Sequence, residues 1–252
     1  MTRAETSDDS KNLINSIVRA CAVMEALADL GREATLSEVA TAVDLARPTA
    51  HRILNTLERV GWIRKTEAGR YALTIHVFSI GASGPVVATL REVARPLLTR
   101  LAADTGDTVY FLAANDTEAV CLDRIEGSHP VRVHATSIGG TIPYSVGGAP
   151  FAILAWRPEL IDQVIPKRQR AAVRRRLEEV RSSGYALNSD DRIPGVSALG
   201  APVFGQRGKA VAGVSVVGTN DRFEGVHLKR RSQAVVAAAD DLTAALRHHS
   251  FD

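Results

Sequence analysis

Residues 35–73 constrain this chain more than any other stretch; they read TLSEVATAVDLARPTAHRILNTLERVGWIRKTEAGRYAL. Thr35 and Glu38 have the spacing of a capping box, so a helix should open at Leu36. Leu36, Val39, Ala40 and Val43 then repeat at i, i+3, i+4, i+7 and give that helix one apolar face. Asp44-Leu45-Ala46 is too short for anything but a tight turn. Pro48 suits the first position of a second helix, where its missing N–H costs nothing. Ala50, Ile53, Leu54 and Leu57 repeat the apolar spacing, and Gly61 suits the residue just past the helix end. The opposite face of this second helix carries Arg47, Pro48, Thr49, His51, Arg52 and Asn55.

A small charged hairpin is expected next. Trp62 and Ile63 should begin a strand, Arg64–Arg70 should turn, and Tyr71-Ala72-Leu73 should return. Two helices, a tight turn and a hairpin in this order make a winged helix-turn-helix, a shape that lays its second helix in a major groove. The side chains on that helix are of the kinds that bond phosphates and base edges. Arg64, Lys65 and Arg70 stand where a wing meets a phosphate backbone. Residues 45–71 hold six Arg or Lys and two Glu, hence +4, whereas the first 80 residues balance at ten basic and ten acidic. The positive charge is local, as a face docking on double-stranded DNA requires. A helical hairpin buried in a core would need neither the basic face nor the wing.

The rest of the chain sets limits. Net charge over all 252 residues is only +3, so global charge names no nucleic-acid partner. No run reaches 18 apolar residues, so neither a transmembrane helix nor a membrane partner is expected. Cys21 and Cys121 lie in apolar patterns without metal-ligand spacing, which fits a reducing cytoplasm and no metal. No strand leads into G-x-G-x-x-G and there is no Walker loop, so no cofactor is expected. Ser145, His134 and Asp190 are the makings of a triad, but no G-x-S-x-G elbow supports an enzyme.

The expected organisation is a disordered tail (1–11), a DNA-binding domain (12–75), a linker helix (76–95) and a ligand-binding and oligomerisation domain (96–252). Ile14–Ala28 reads as a first helix beneath the helix-turn-helix. Thr74–Gly84 reads as a connection, and Pro85 opens an apolar helix that Arg95-Pro96 should break. Leu97–Asp104 reads as a separate helix. Strands are expected at Thr108–Ala113, Ala119–Asp123, Val131–His134, Val196–Val203 and Ala210–Val217. Gly139-Gly140 and Pro143 mark a loop, and an apolar helix begins near Gly147. The Arg-rich stretch Lys167–Ser182 reads as a helix with a solvated outer face. Glu224–His248 closes the chain as a long amphipathic helix. Mixed strands and helices of this kind point to a sensor-type sheet domain, α+β overall.

The chain resembles the IclR family of bacterial transcription regulators over nearly its whole length. The N-terminal signature stands as LSEVATAVDLARPTAHRILNTLERVGWI followed by GRYAL. The C-terminal one stands as IPYSVGGAPFAILA, then GYALNSDD, then GVSALGAPVFGQRGKAVAGVSVVG. The resemblance implies a winged-helix domain, a linker helix and a GAF-like effector domain, assembled as dimers or tetramers on palindromic operators. It also implies a small organic acid as effector, with repression of a catabolic operon as the first reading and activation as the alternative. Carried over by position, the effector residues are Gly147, Gly148 and Ala149 at a helix N-terminus, Phe151, Asn188 beside Asp190 and Asp191, Ala198, Ser215 and Val217. Asn188, Ala198 and Val217 stand where the family pattern is more polar. That departure implies a larger or aromatic acid rather than one as small as glyoxylate.

Overall fold

The computed structural model describes residues 13–82 and 85–247, so the stretch expected to be a tail lies outside the described residues. The chain forms two compact units that divide between Gly84 and Pro85.

The first unit opens with α1 (Asn15–Leu30), which ends on the left-handed Gly31. Thr35 starts α2 (Leu36–Ala42) with both halves of the capping box in place. Glu38 N–H donates to Thr35 Oγ1 at 3.3 Å, and Thr35 N–H donates to Glu38 Oε2 at 2.7 Å. The Thr35 backbone N–H is the largest cause holding the Glu38 carboxyl down at about 2, followed by Arg32, whose Nη2 donates to Glu38 Oε1 at 2.7 Å. Asp44 turns the chain in the left-handed region at φ 48°, which a short polar side chain tolerates. The recognition-type helix α3 spans Arg47–Arg59, one residue earlier than expected, so Pro48 is its second residue. Two short strands follow, β1 (Ile63–Lys65) and β2 (Tyr71–Leu73). Arg64 and Lys65 therefore belong to a strand, and only Thr66–Arg70 turns. Val23, Leu27, Val39, Leu54, Ile63 and Tyr71 form the core. The stretch read as a connection contains a helix, α4 (Ile75–Ala82). Its apolar run precedes Gly81-Ala82-Ser83-Gly84-Pro85, the residues that make the stretch read as a connection.

The second unit begins with α5 (Pro85–Thr105), which runs unbroken through Pro96. The expected break does not occur. An internal proline costs a helix about 3 kcal/mol, but Leu90, Ala94, Leu98, Leu101 and Ala102 keep one continuous buried stripe on either side of it. Burial of several such side chains, at about 1.5–3 kcal/mol for each large one, outweighs that cost.

The strands β3 (Thr108–Ala114), β4 (Glu118–Ile125), β5 (Thr141–Pro143), β6 (Ala186–Ser189), β7 (Val196–Phe204) and β8 (Ala210–Thr219) make one antiparallel sheet. Its order is β5-β4-β3-β8-β7-β6. One face packs on α5 and the C-terminal helix α9 (Gly225–Leu246). The other packs on α6 (Gly148–Ala155), α7 (Ile161–Val164) and α8 (Arg170–Ser183). Val131–His134 is not a strand; the chain there is irregular and hangs on Tyr110. The Tyr110 hydroxyl donates to Val133 O and accepts from Ala135 N–H, both at 2.9 Å. The strand on that edge is β5, where a loop was expected, paired to β4. The edge strand β6 had no strand reading at all.

Candidate DNA-binding face and effector site

Helix α3 buries Ala50, Leu54 and Leu57. That rotation leaves Arg47, Pro48 and Arg52 exposed and Thr49, His51 and Asn55 half-buried. His51 Nδ1 and Asn55 Nδ2 lie 3.5 Å apart, one turn from each other on the same face. Neither Arg47 nor Arg52 has an acidic partner among the described residues. Thr49 and Arg52 also line a groove with Ser16 and Arg19 of α1. Arg19 thus joins the polar surface beside α3, which its place in an amphipathic first helix did not announce.

The wing cations are differently placed. Arg64 Nη2 donates to Glu33 Oε1 at 2.9 Å, and Arg70 Nη1 donates to Glu33 O at 3.3 Å. Lys65 Nζ stands 5.6 Å from the centroid of the Tyr71 ring. The exposed Arg64–Glu33 pair is of a kind worth about 0.2–1 kcal/mol, little enough for a phosphate to replace the glutamate.

In the second unit, sheet register gathers the residues carried over for an effector. Asn188 pairs with Ala198, Ala198 with Val217, and Val217 with Thr108, giving one row across β6, β7, β8 and β3. The next row on that face is Ala186, Gly200, Ser215 and Tyr110. The first turn of α6 lies directly on this second row. A Cβ on Gly148 would sit 2.5 Å from Gly200 N and 2.6 Å from Leu199 C, so only glycine permits the approach. Gly200 has the same role from the strand side, its added Cβ meeting Ala149 N and Gly148 C. Gly213 leaves the space beside Ala149, since a Cβ there would stand 3.1 Å from the Ala149 Cβ. Every residue of α6 is buried, Ala149 and Phe151 included.

The N-terminus of α6 is polar and already partnered. Gly147 N–H donates to Asp191 Oδ2 at 2.7 Å, so this backbone donor holds a carboxylate of the chain itself. Asn188, 4% exposed, donates from Nδ2 to Gly147 O at 2.8 Å. Its Oδ1 accepts from Arg176 Nη2. The Arg176 guanidinium also lies over the Phe151 ring, 4.7 Å from the centroid. Reading α8 as a solvated face missed Arg176, because nothing local distinguishes it from its neighbours. Nor did the motifs single out Gly200. A helix start carries partial positive charge, and the arginine adds a full one, so the place favours anions.

Other groups are occupied structurally. Burial pushes the Cys121 thiol up to about 11, which keeps it protonated at neutral pH. Asp190 accepts from Gly195 N–H at 2.6 Å and from Asn220 Nδ2 at 3.0 Å, and His134 lies against Arg124. Among the described residues no cluster of His, Cys, Asp and Glu is able to hold a metal ion. No helix among them is long and apolar enough to cross a membrane.

Comparison with known proteins agrees with this geometry. Residues 16–67 match the IclR helix-turn-helix domain, and residues 86–244 match the bacterial transcriptional regulator IclR C-terminal domain. The transcriptional repressor IclR of Escherichia coli is 27% identical over 249 residues, covering 92% of this chain and 90% of that protein. The HTH-type transcriptional regulator BhcR of Paracoccus denitrificans is 30% identical over 248 residues, covering 91% and 86%. The crystal structure of an IclR homolog from Microbacterium hydrocarbonoxydans, complexed with 4-hydroxybenzoate, superposes with a TM-score of 0.78 at 20% identity, over 92% of this chain and 99% of that one. The chain belongs to the IclR family of DNA-binding transcriptional regulators and is not an enzyme.

Proposed function

We propose that this regulator represses a catabolic operon, binding a palindromic operator as a homodimer or tetramer, and that a small carboxylate with apolar, aromatic surface controls it. Arg47, Pro48, Thr49, His51, Arg52 and Asn55 meet the major groove, and Arg64, Lys65 and Arg70 meet the phosphates. The effector sits at the start of α6, with Gly147, Gly148, Ala149, Phe151, Asn188, Ala198, Ser215 and Val217 around it. One observation carries the effector's class. Ala198 and Val217 stand in the same sheet row as Asn188, so apolar surface borders the anion-favouring start of α6. A similar fold described with 4-hydroxybenzoate and a relative named as a repressor support the reading.

Control follows from differential affinity. The effector shifts the DNA-binding equilibrium only as far as it binds one arrangement more tightly than the other. By linkage, DNA must change effector affinity by the same factor. The test is a mobility-shift titration on a duplex selected from a random pool, with benzoate, 4-hydroxybenzoate and pyruvate added in turn. Repression relieved by an acid predicts a weakened complex with one of the aromatic acids. A complex tightened by the acid makes the protein an activator or a co-repressed regulator instead, and indifference to all three removes the effector class.

A further inference from the structure

We infer that Arg176 determines the specificity of this site for an acid: it is the cation that pairs with the effector's carboxylate, holding it between α8 and the start of α6. The inference rests on the effector site proposed above and names the residue that reads its charge.

The partnered arginines of α8 differ in what they meet. Arg170 and Arg174 each stand 3.2 Å from Asp162 Oδ1, and Arg181 Nε donates to Ala155 O at 2.5 Å. These have an acid or a carbonyl of the chain to satisfy them. Arg176 has neither. Its partners are a neutral amide, Asn188 Oδ1, and an aromatic face, Phe151. Both are almost wholly buried, at 4% and 1% exposure, while Arg176 itself is exposed. The guanidinium is thus fixed at the edge of the core, with one plane on a ring and one donor on an amide.

A guanidinium has five N–H donors in a rigid fork. The face on Phe151 and the bond to Asn188 set the fork's plane and leave other donors open to solvent. That geometry matches a carboxylate approached edge-on, the arrangement in which arginine surpasses lysine. Asn188 connects this fork to Gly147 O, so the cation and the positive end of α6 share one buried amide. The carboxylate of Asp191 answers Gly147 N–H but makes no ion pair with Arg176 among the described residues. Two positive features therefore face one resident carboxylate, and an effector's acid group completes the balance. A neutral analogue of the same shape leaves the guanidinium without that partner.

The test uses the full-length protein and matched probes: benzoate and 4-hydroxybenzoate against benzamide and 4-hydroxybenzamide, by calorimetry. Wild type should prefer the acid of each pair. Arg176→Met should weaken the acid by about tenfold or more, the usual worth of a charge-assisted bond, and leave the amide unchanged. Arg176→Lys should fall between, because it keeps the charge and loses the fork. Arg174→Met, which loses only an exposed pair to Asp162, should bind as wild type. Where Arg176→Met does not fold, the acid-to-amide ratio of Arg176→Gln replaces it. Equal acid affinity in wild type and Arg176→Met overturns the role of Arg176 and leaves the effector site standing. Failure of every acid to bind wild type, or amides binding as tightly as acids, overturns the proposed carboxylate class and the inference with it.

Discussion

Helices α3 and α6 both start without a side-chain cap, yet they are built for opposite work. α3 buries one stripe and turns Arg47, Pro48 and Arg52 outward. α6 buries all eight of its residues and pushes its first turn against the backbone of β7. The first offers side chains to a partner. The second offers a helix end, aimed by glycines and framed by residues from other elements. A helix that is apolar all round is a core element, so any function of α6 has to be exercised by its terminus and its neighbours.

That contrast is open to breakage, most severely in the core. Gly148→Val puts a branched side chain where the Gly200 backbone stands, and should destabilise the second unit by about 3 kcal/mol or more. Its counterpart on the outward helix, Asn55→Ala, should change stability by no more than about 0.5 kcal/mol. Urea unfolding measures both, and a Gly148→Val variant within about 1 kcal/mol of wild type would remove the close approach.

On the DNA side the order reverses. Arg52→Ala should leave unfolding unchanged but cost about 1–3 kcal/mol of affinity for the selected duplex, with relaxed preference at one base position. Unchanged affinity in a mobility shift would take Arg52 off the recognition face.

The wing should respond more weakly and without sequence preference. Arg64→Ala and Lys65→Ala should each lower the salt slope by about one unit. Glu33→Ala should tighten binding slightly, because it frees Arg64 from its present partner. A salt series over the same duplex separates these outcomes from loss of a base contact.

The smallest effect concerns the cap of α2. Glu38 is held down from an ordinary 4.5 to about 2 by the Thr35 N–H first and the Arg32 guanidinium next. A folded value below the unfolded one adds stability that is complete above pH 4.5 and lost as pH falls through about 2. The melting-temperature gap between wild type and Glu38→Gln should therefore narrow steadily across that window. A constant gap would mean that the carboxylate's charge adds no stability through either Thr35 or Arg32.

Legibility followed the same division. The capping box, the turn at Asp44, the outward face of α3 and the hairpin were all readable, because each depends on contacts within a few residues. Apart from α4, hidden by the residues that follow it, the readings that failed involved longer reach. Pro96 looked like a stop, but the stripe from Leu90 to Ala102 carries α5 through it. Val131–His134 has strand-like residues, yet the edge position is filled by β5 and the segment hangs on a tyrosine hydroxyl. Arg176 could not be told from Arg174 or Arg175 along the helix.

By itself, then, the sequence determined the helix-turn-helix with its one working face, where the charged hairpin lies, and to which family the chain belongs. Periodicity, caps and turn residues act over one or two turns of chain, and the motifs preserve them in order. Only the tertiary structure decided what surrounds the start of α6. Asn188, Ala198 and Val217 meet through the register of three strands, Gly200 meets Gly148 through a helix laid on a sheet, and Arg176 meets Phe151 through the packing of two helices. Those contacts join residues from different elements, 10 to 52 positions apart. Their energy comes from burying whole elements together, and no local pattern encodes which side chain such packing will bring against which.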